Sequence, residues 1–268
     1  MTERKHYRHP PLAMVVLQVG LAYEPGIGAM QKQEQFVAPL RKDFGILRNE
    51  PVPVEQSRVA DESLTQIRAT NDSATATISL NPWMLEIAVT GRGYQGFETS
   101  IVPLAQSAVS ALLSVAPEGH VERIILRYLN EIRMPHEDSG PEEWSKWINP
   151  SIVEVSKAGL EGTPREFRTV AHAHKSENPC RSTTIQCGTH HGRSVIASNL
   201  PIAPRKVTRR QAIVVDIESE WYPESPQRLE LDLALSELVV LHNLVTQPFE
   251  WAITDFAREK FQRSGNAK

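Results

Sequence analysis

Four of the nine histidines and both cysteines fall in one short stretch: His172, His174, Cys180, Cys187, His190 and His191. Imidazole nitrogens and thiolates are the ligands zinc prefers, and two adjoining strands could bring such side chains together. The spacing departs from the tight Cys pairs and His pairs of structural zinc modules, so a polar exposed hairpin is the competing reading. Two cysteines are too few for a disulfide framework, and reduced thiols are expected.

A second candidate lies in the run Val121 to Met134. Alternation along a strand sends Ile124, Leu126, Tyr128, Ile132 and Met134 to one face, and Arg123, Arg127, Glu131 and Arg133 to the other. Three arginines on an open face could grip phosphate, carboxylate or an acidic partner. Equally, they could pair with Glu131 and, across strands, with carboxylates such as Glu86 and Glu218.

Other motifs carry less. Gly91-Arg92-Gly93-Tyr94-Gln95-Gly96 matches a dinucleotide fingerprint. The strand before it belongs to an antiparallel meander, no further βα units follow, and Glu118 is misplaced as the ribose partner. The glycines are therefore expected to form a flexible connection. No nucleophile elbow and no HExxH pair is present, so no catalytic residue is assigned. Glu142 and Glu143 open a helix and complement its dipole. His242, among Leu238, Leu241, Val245 and Phe249, is expected to be a hydrogen-bonded core residue. Trp251, with Phe256 and Phe261 beyond it, could extend an apolar edge that docks a second copy or another protein.

The elements that must position these residues alternate in a regular way. A strand is expected over Leu12 to Tyr23 and a helix from Gln31 to Phe44. Pro51 and Pro53 make the next stretch an edge strand or extended connection. A meander follows over Leu64 to Thr70, Ser73 to Leu80 and Trp83 to Thr90, with short polar turns that favour antiparallel pairing. Phe97 to Val115 is helical. The second half runs strand (Val121 to Met134), helix (Glu142 to Ser156), and strands over Phe167 to His174, Ser182 to His190, Arg193 to Ala197 and Gln211 to Trp221. A long closing helix is expected from Pro226 to Arg263, bent near Pro248.

Residues 1–117 and 118–268 thus each read strand, helix, antiparallel strands, helix. Two such units predict an α+β fold with one curved antiparallel sheet and helices on one face, a structural duplication in one compact domain. The layout is that of TATA-box-binding-protein-like and helix-grip folds, a likeness of shape alone.

Composition is compatible with this. The 268 residues are 40% hydrophobic and 23% charged, with a net charge of -3. That is enough apolar material for a real core, and too little positive charge for a surface given over to nucleic acid or anionic lipid. No run approaches the roughly 20 apolar residues of a membrane helix, and the charged start of the chain lacks the features of a secretion signal. A cytoplasmic protein is expected.

Four stretches carry a resemblance: Pro10-Pro11 before the first strand, the Ser73 to Thr90 hairpin with Tyr94 after it, RIILRYLN over Arg123 to Asn130, and LHNLVTQPFEWAIT over Leu241 to Thr254. Together they resemble a sporadically distributed family of uncharacterised bacterial proteins of about this size. The resemblance implies a shared fold and a bacterial cytoplasm, and it transfers no catalytic residue.

The expected function is non-catalytic: a binding or regulatory protein engaging a macromolecular partner, through Arg123, Arg127, Glu131 and Arg133 or through Trp251. The partner would be a protein or a second copy of the chain, and the family's scattered distribution suggests bacterial defence or toxin neutralisation. A small-ligand or zinc-binding, enzyme-like protein is one alternative. Nucleic-acid binding through the arginine face, with Arg205, Lys206, Arg209 and Arg210 adding charge, is another.

Overall fold

The alternation in β1 (Leu12–Leu21) turns Val15, Leu17, Val19 and Leu21 toward the main core, while Met14 and Val16 join a small separate cluster on the other face. The computed structural model describes residues 7–52, 65–136, 139–154, 166–175, 179–191 and 210–262. The strands that follow are β2 (Ile46–Pro51), β3 (Thr65–Thr70), β4 (Ala76–Asn81), β5 (Met84–Thr90), β6 (His120–Arg133), β7 (Arg168–Lys175), β8 (Cys180–His190), β9 (Ala212–Tyr222) and the two-residue β10 (Gln227–Arg228).

All pair antiparallel in one curved, unclosed sheet of order β2-β3-β4-β5-β1-β6-β9-β8-β7, with β10 beside the start of β6. β1 and β6 lie side by side at the centre, and each is flanked by the antiparallel strands of its own half of the chain. The short turns of the meander, five residues between β3 and β4 and two between β4 and β5, explain the order β3-β4-β5, since links this short permit only antiparallel neighbours.

Helices cover one face. α1 (Met30–Val37), α2 (Val102–Val115) and α5 (Leu231–Ala252) share a core with the inward residues of the strands. In α2 the buried positions Ala105, Ala108, Val109 and Leu112 follow the spacing of one helix face, as do Leu238, Leu241, His242 and Val245 in α5. Each large apolar side chain so buried contributes roughly 1.5–3 kcal/mol. Arg181 on β8 grips Glu237 on α5 with two nitrogens, at 2.9 and 3.2 Å, and ties the helix to the sheet.

Several helices differ from the sequence expectation. The first ends at Val37 and passes into a 3-10 turn, Ala38–Leu40, because Pro39 cannot continue the hydrogen-bond ladder. The helix expected over Glu142 to Ser156 is two pieces, α3 (Pro141–Trp147) and α4 (Pro150–Val153). Between them Asn149 caps α4 by accepting from the Ser151 N–H at 3.1 Å. The long closing helix is likewise broken. Gln227 and Arg228 pair with Val121 and His120 instead of starting it, and α5 stops at Ala252 before α6 (Asp255–Gln262). Pro248 lies inside α5 without ending it. The break falls where Ile253 pairs with Ile148, reinforced by Asn149 N–H to Ala252 O at 2.8 Å and Thr254 N–H to Trp147 O at 3.1 Å. The ends of α3 and α5 therefore stop each other. The strand expected over residues 193–197 lies outside the described residues.

Candidate functional site

The face of the sheet opposite the helices is assembled in rows set by strand register. One row runs Thr70, Thr77, Ala88, Val16, Arg127, Glu218, Thr184, His172 across eight strands. The next runs Arg68, Ser79, Glu86, Gln18, Ile125, Glu220, Ser182, His174. Because alternation in every strand is two residues, each row is mostly polar or small where the core face is apolar, with Val16 and Ile125 as the apolar members near the centre. Met14, Ala88 and Leu129, with Val16 and Val214 packed against them, form a small apolar floor near the centre.

The predicted arginines all lie on this face, and carboxylates meet them. Arg127 stands opposite Glu218 in register, yet its guanidinium reaches the diagonal neighbour Asp216, with Nε to Oδ1 at 2.8 Å and Nη2 to Oδ2 at 2.6 Å. The hydrogen bond to Asp216 is the main reason Arg127 holds its proton above the ordinary range. Arg123 folds over Gly20 on β1, where an added Cβ would come within 2.6 Å of its Cγ. Its Nε is buried without a hydrogen bond, and its Nη1 lies 4.0 Å from Glu220. Arg133 bonds Glu131 at 2.8 Å and the Arg210 carbonyl at 3.2 Å. Glu131 is only 2% exposed, so it braces Arg133 from below and is not offered to a partner, contrary to its place in the expected surface.

Among the described residues, four carboxylates share this part of the face with the cations Arg123 and Arg127: Glu86, Asp216, Glu218 and Glu220. Glu86 accepts from Gln18 Nε2 at 2.8 Å. Burial raises the Glu218 pKa, and the charge of Asp216 adds to that while Arg127 opposes it. The centre of the open face is therefore acidic, although the sequence singled out its arginines.

The six candidate zinc ligands divide. His172, His174 and Cys180 share the open face at one end of the β7–β8 hairpin. Cys187, seven residues after Cys180 on the same strand, points into the helix side, where burial pushes its thiol up to about 12. His190 and His191 lie at the far end of β8, roughly 30 Å along the strand by its rise per residue. His191 there meets Gln211 at 3.2 Å. Among the described residues no group of three or more His, Cys, Asp or Glu is placed to share a metal ion. What forms instead is a contact of Cys180 Sγ with His174 Nε2 at 3.4 Å, and of His174 Nδ1 with the Tyr222 hydroxyl at 3.0 Å. Sequence reasoning missed Tyr222 because its proximity depends on β8 pairing with β9.

No protein-family model matches the chain, and no curated protein is similar to it. Its own geometry is thus what informs function.

The fingerprint glycines have packing reasons. A Cβ on Gly91 would stand 1.9 Å from the Leu12 carbonyl oxygen, and Gly96 has φ +140°, a conformation reserved for glycine. Both positions thus require glycine for packing or backbone conformation. Tyr94 and Tyr128 meet at 3.4 Å, Tyr128 reaches His242 Nδ1 at 3.1 Å, and the His242 ring lies flat on Phe97 at 3.9 Å. His242 is the hydrogen-bonded core histidine that its helical neighbours suggested, at 8% exposure. Trp251 is 52% exposed at the end of α5, where its carbonyl accepts from Asn149 Nδ2 at 3.2 Å. Phe256 is also exposed, at 40%, and packs edge-on against Trp147. Arg210 is exposed, while Arg205, Lys206 and Arg209 lie outside the described residues. Among the described residues no helix is long and apolar enough to cross a membrane.

Proposed function

We propose that the protein is a non-catalytic binding protein whose open sheet face engages an extended, Lys/Arg-rich segment of a protein partner. The observation that carries this reading is the charge of the face's centre, where Glu86, Asp216, Glu218 and Glu220 outnumber Arg123 and Arg127. A cationic segment laid over these rows would meet carboxylates at the sides and the apolar floor of Met14, Val16 and Leu129 beneath. Such complementarity steers encounter and sets specificity. The same charge balance disfavours nucleic acid, whose phosphates would face those carboxylates. The four motif stretches support placing the protein in the sporadic bacterial family they resemble, and with it in a bacterial cytoplasm. A role in defence or toxin neutralisation belongs to that proposal.

The test is a titration of the full chain with a Lys/Arg-rich peptide, an Asp/Glu-rich peptide and a DNA duplex, with amide exchange to map protection. Binding of the basic peptide alone, with protection on β6 and β9, supports the reading. It should be lost in an Asp216→Asn, Glu218→Gln, Glu220→Gln triple variant. Preference for the acidic peptide or for DNA overturns it.

A further inference from the structure

The β7–β8 hairpin holds a constellation that the partner-binding reading does not use. His174 is the second-last residue of β7, Cys180 opens β8 and Tyr222 closes β9. Register places Cys180 directly opposite Tyr222, with His174 diagonal to it across the hairpin. The three side chains share the open face and meet at its rim. The imidazole is fixed from two sides, by stacking on Tyr222 at 6.1 Å and on His172 at 6.4 Å. His172 is held in turn by Thr184 Oγ1 at 2.8 Å.

A thiol, an imidazole in reach of it and a third group orienting that imidazole form the usual arrangement of an activated nucleophile. If the sulfur gives its proton to His174 Nε2, both ring N–H groups find acceptors: the thiolate on one side and the Tyr222 oxygen on the other. Before transfer the ring is satisfied as well, by the S–H at Nε2 and the Tyr222 oxygen at Nδ1, so the proton can move with no hydrogen bond lost. The surroundings also select the electrophile. The Cys180 S–H can also donate to the Lys175 carbonyl oxygen at 3.2 Å, and this acceptor beside the sulfur would not stabilise an oxyanion formed in acyl transfer. Attack on a disulfide develops no oxyanion.

We propose that Cys180 is a thiol-exchange site for low-molecular-weight disulfides, with His174 as its proton acceptor and Tyr222 as a positioning residue. In the step, the Cys180 proton passes to His174 Nε2 and the sulfur bonds one sulfur of the disulfide. The disulfide bond breaks, and the departing thiolate takes the proton back from His174. Protein thiol plus disulfide yields mixed disulfide plus one free thiol, with no other oxidant required. The adduct persists, because the only other cysteine, Cys187, lies buried on the opposite face of the same strand and cannot resolve it.

The experiment reacts the full chain with glutathione disulfide in a buffer containing a chelator. It follows the mass gain and the second-order rate, with N-acetylcysteine as the reference thiol. The expected result is one adduct, on Cys180, formed about tenfold or more faster than exchange of the reference thiol. His174→Ala should bring the rate down to the reference, while His172→Ala leaves most of it. Tyr222→Phe should lower the rate and shift its pH profile, among the groups His172, His174, Lys175 and Glu220 that surround the pair. A wild-type rate equal to the reference, an adduct on Cys187, or an unchanged rate in His174→Ala overturns the proposal. Should His174→Ala unfold, as circular dichroism would reveal, the wild-type rate against the reference decides alone.

Discussion

Arg127 and Asp216 close a two-pronged ion pair across β6 and β9, 2.8 and 2.6 Å between their atoms, on the sheet face that carries no helix. The pair joins two neighbouring strands of the second half of the chain and leaves Glu218 beside them.

Replacing Arg127 with Met should destabilise the fold by about 0.5–1 kcal/mol, because the pair is well aligned but half open to screening solvent. In a double-mutant cycle with Asp216→Asn the two losses should be less than additive. Urea denaturation of the four proteins measures the coupling.

Glu218 is held above the ordinary carboxylate range by burial, so the native state binds its proton more tightly than the unfolded chain. Stability then falls as pH rises from the unfolded value through the folded one. Glu218→Gln should therefore raise the melting temperature at neutral pH, and the gain should vanish below the ordinary carboxylate pKa. Melting curves across that acidic range check the sign.

Gly91→Ala places a methyl 1.9 Å from the Leu12 carbonyl oxygen, a backbone atom that cannot swing aside. A loss of about 1–3 kcal/mol is expected, typical of an overpacked site. Arg92→Ala, at the neighbouring position, should stay within about 0.5 kcal/mol. Thermal melts of both variants separate packing from composition.

Tyr128→Phe removes the hydroxyl that reaches His242 at 3.1 Å and Tyr94 at 3.4 Å. The cost should be about 1 kcal/mol, and Phe97→Ala, which strips the ring beneath His242, should cost about 3–5 kcal/mol. Equal losses would show that stacking on Phe97 contributes little.

Alternation made much of the sheet legible, since Ile124, Leu126 and Tyr128 could be told from Arg123 and Arg127 without any tertiary knowledge. The same parity separates Cys180 from Cys187, seven positions on, and argues against one shared metal site. What lay out of reach were relationships that depend on which strand lies beside which. Asp216 became the partner of Arg127, and Tyr222 that of His174, only through the registers of β6 with β9 and β8 with β9. The helix break at Ile253 was hidden for a similar reason, since periodicity continues across it and backbone pairing with residues 148 and 149 ends α5. The break at Asn149 was legible in Pro150, which opens α4 and is disfavoured in a helix interior.

The adjacency of β1 and β6 at the centre of the sheet has a consequence for synthesis. Leu17 cannot meet Leu126 until the meander and α2 between them have left the ribosome. Until then β1 has β5 on one edge and an open ladder on the other, in its most apolar stretch. The nascent N-terminal half is therefore a template for strand addition by any other chain. Production at slower elongation or higher expression should show up first as aggregation seeded by residues 12–21.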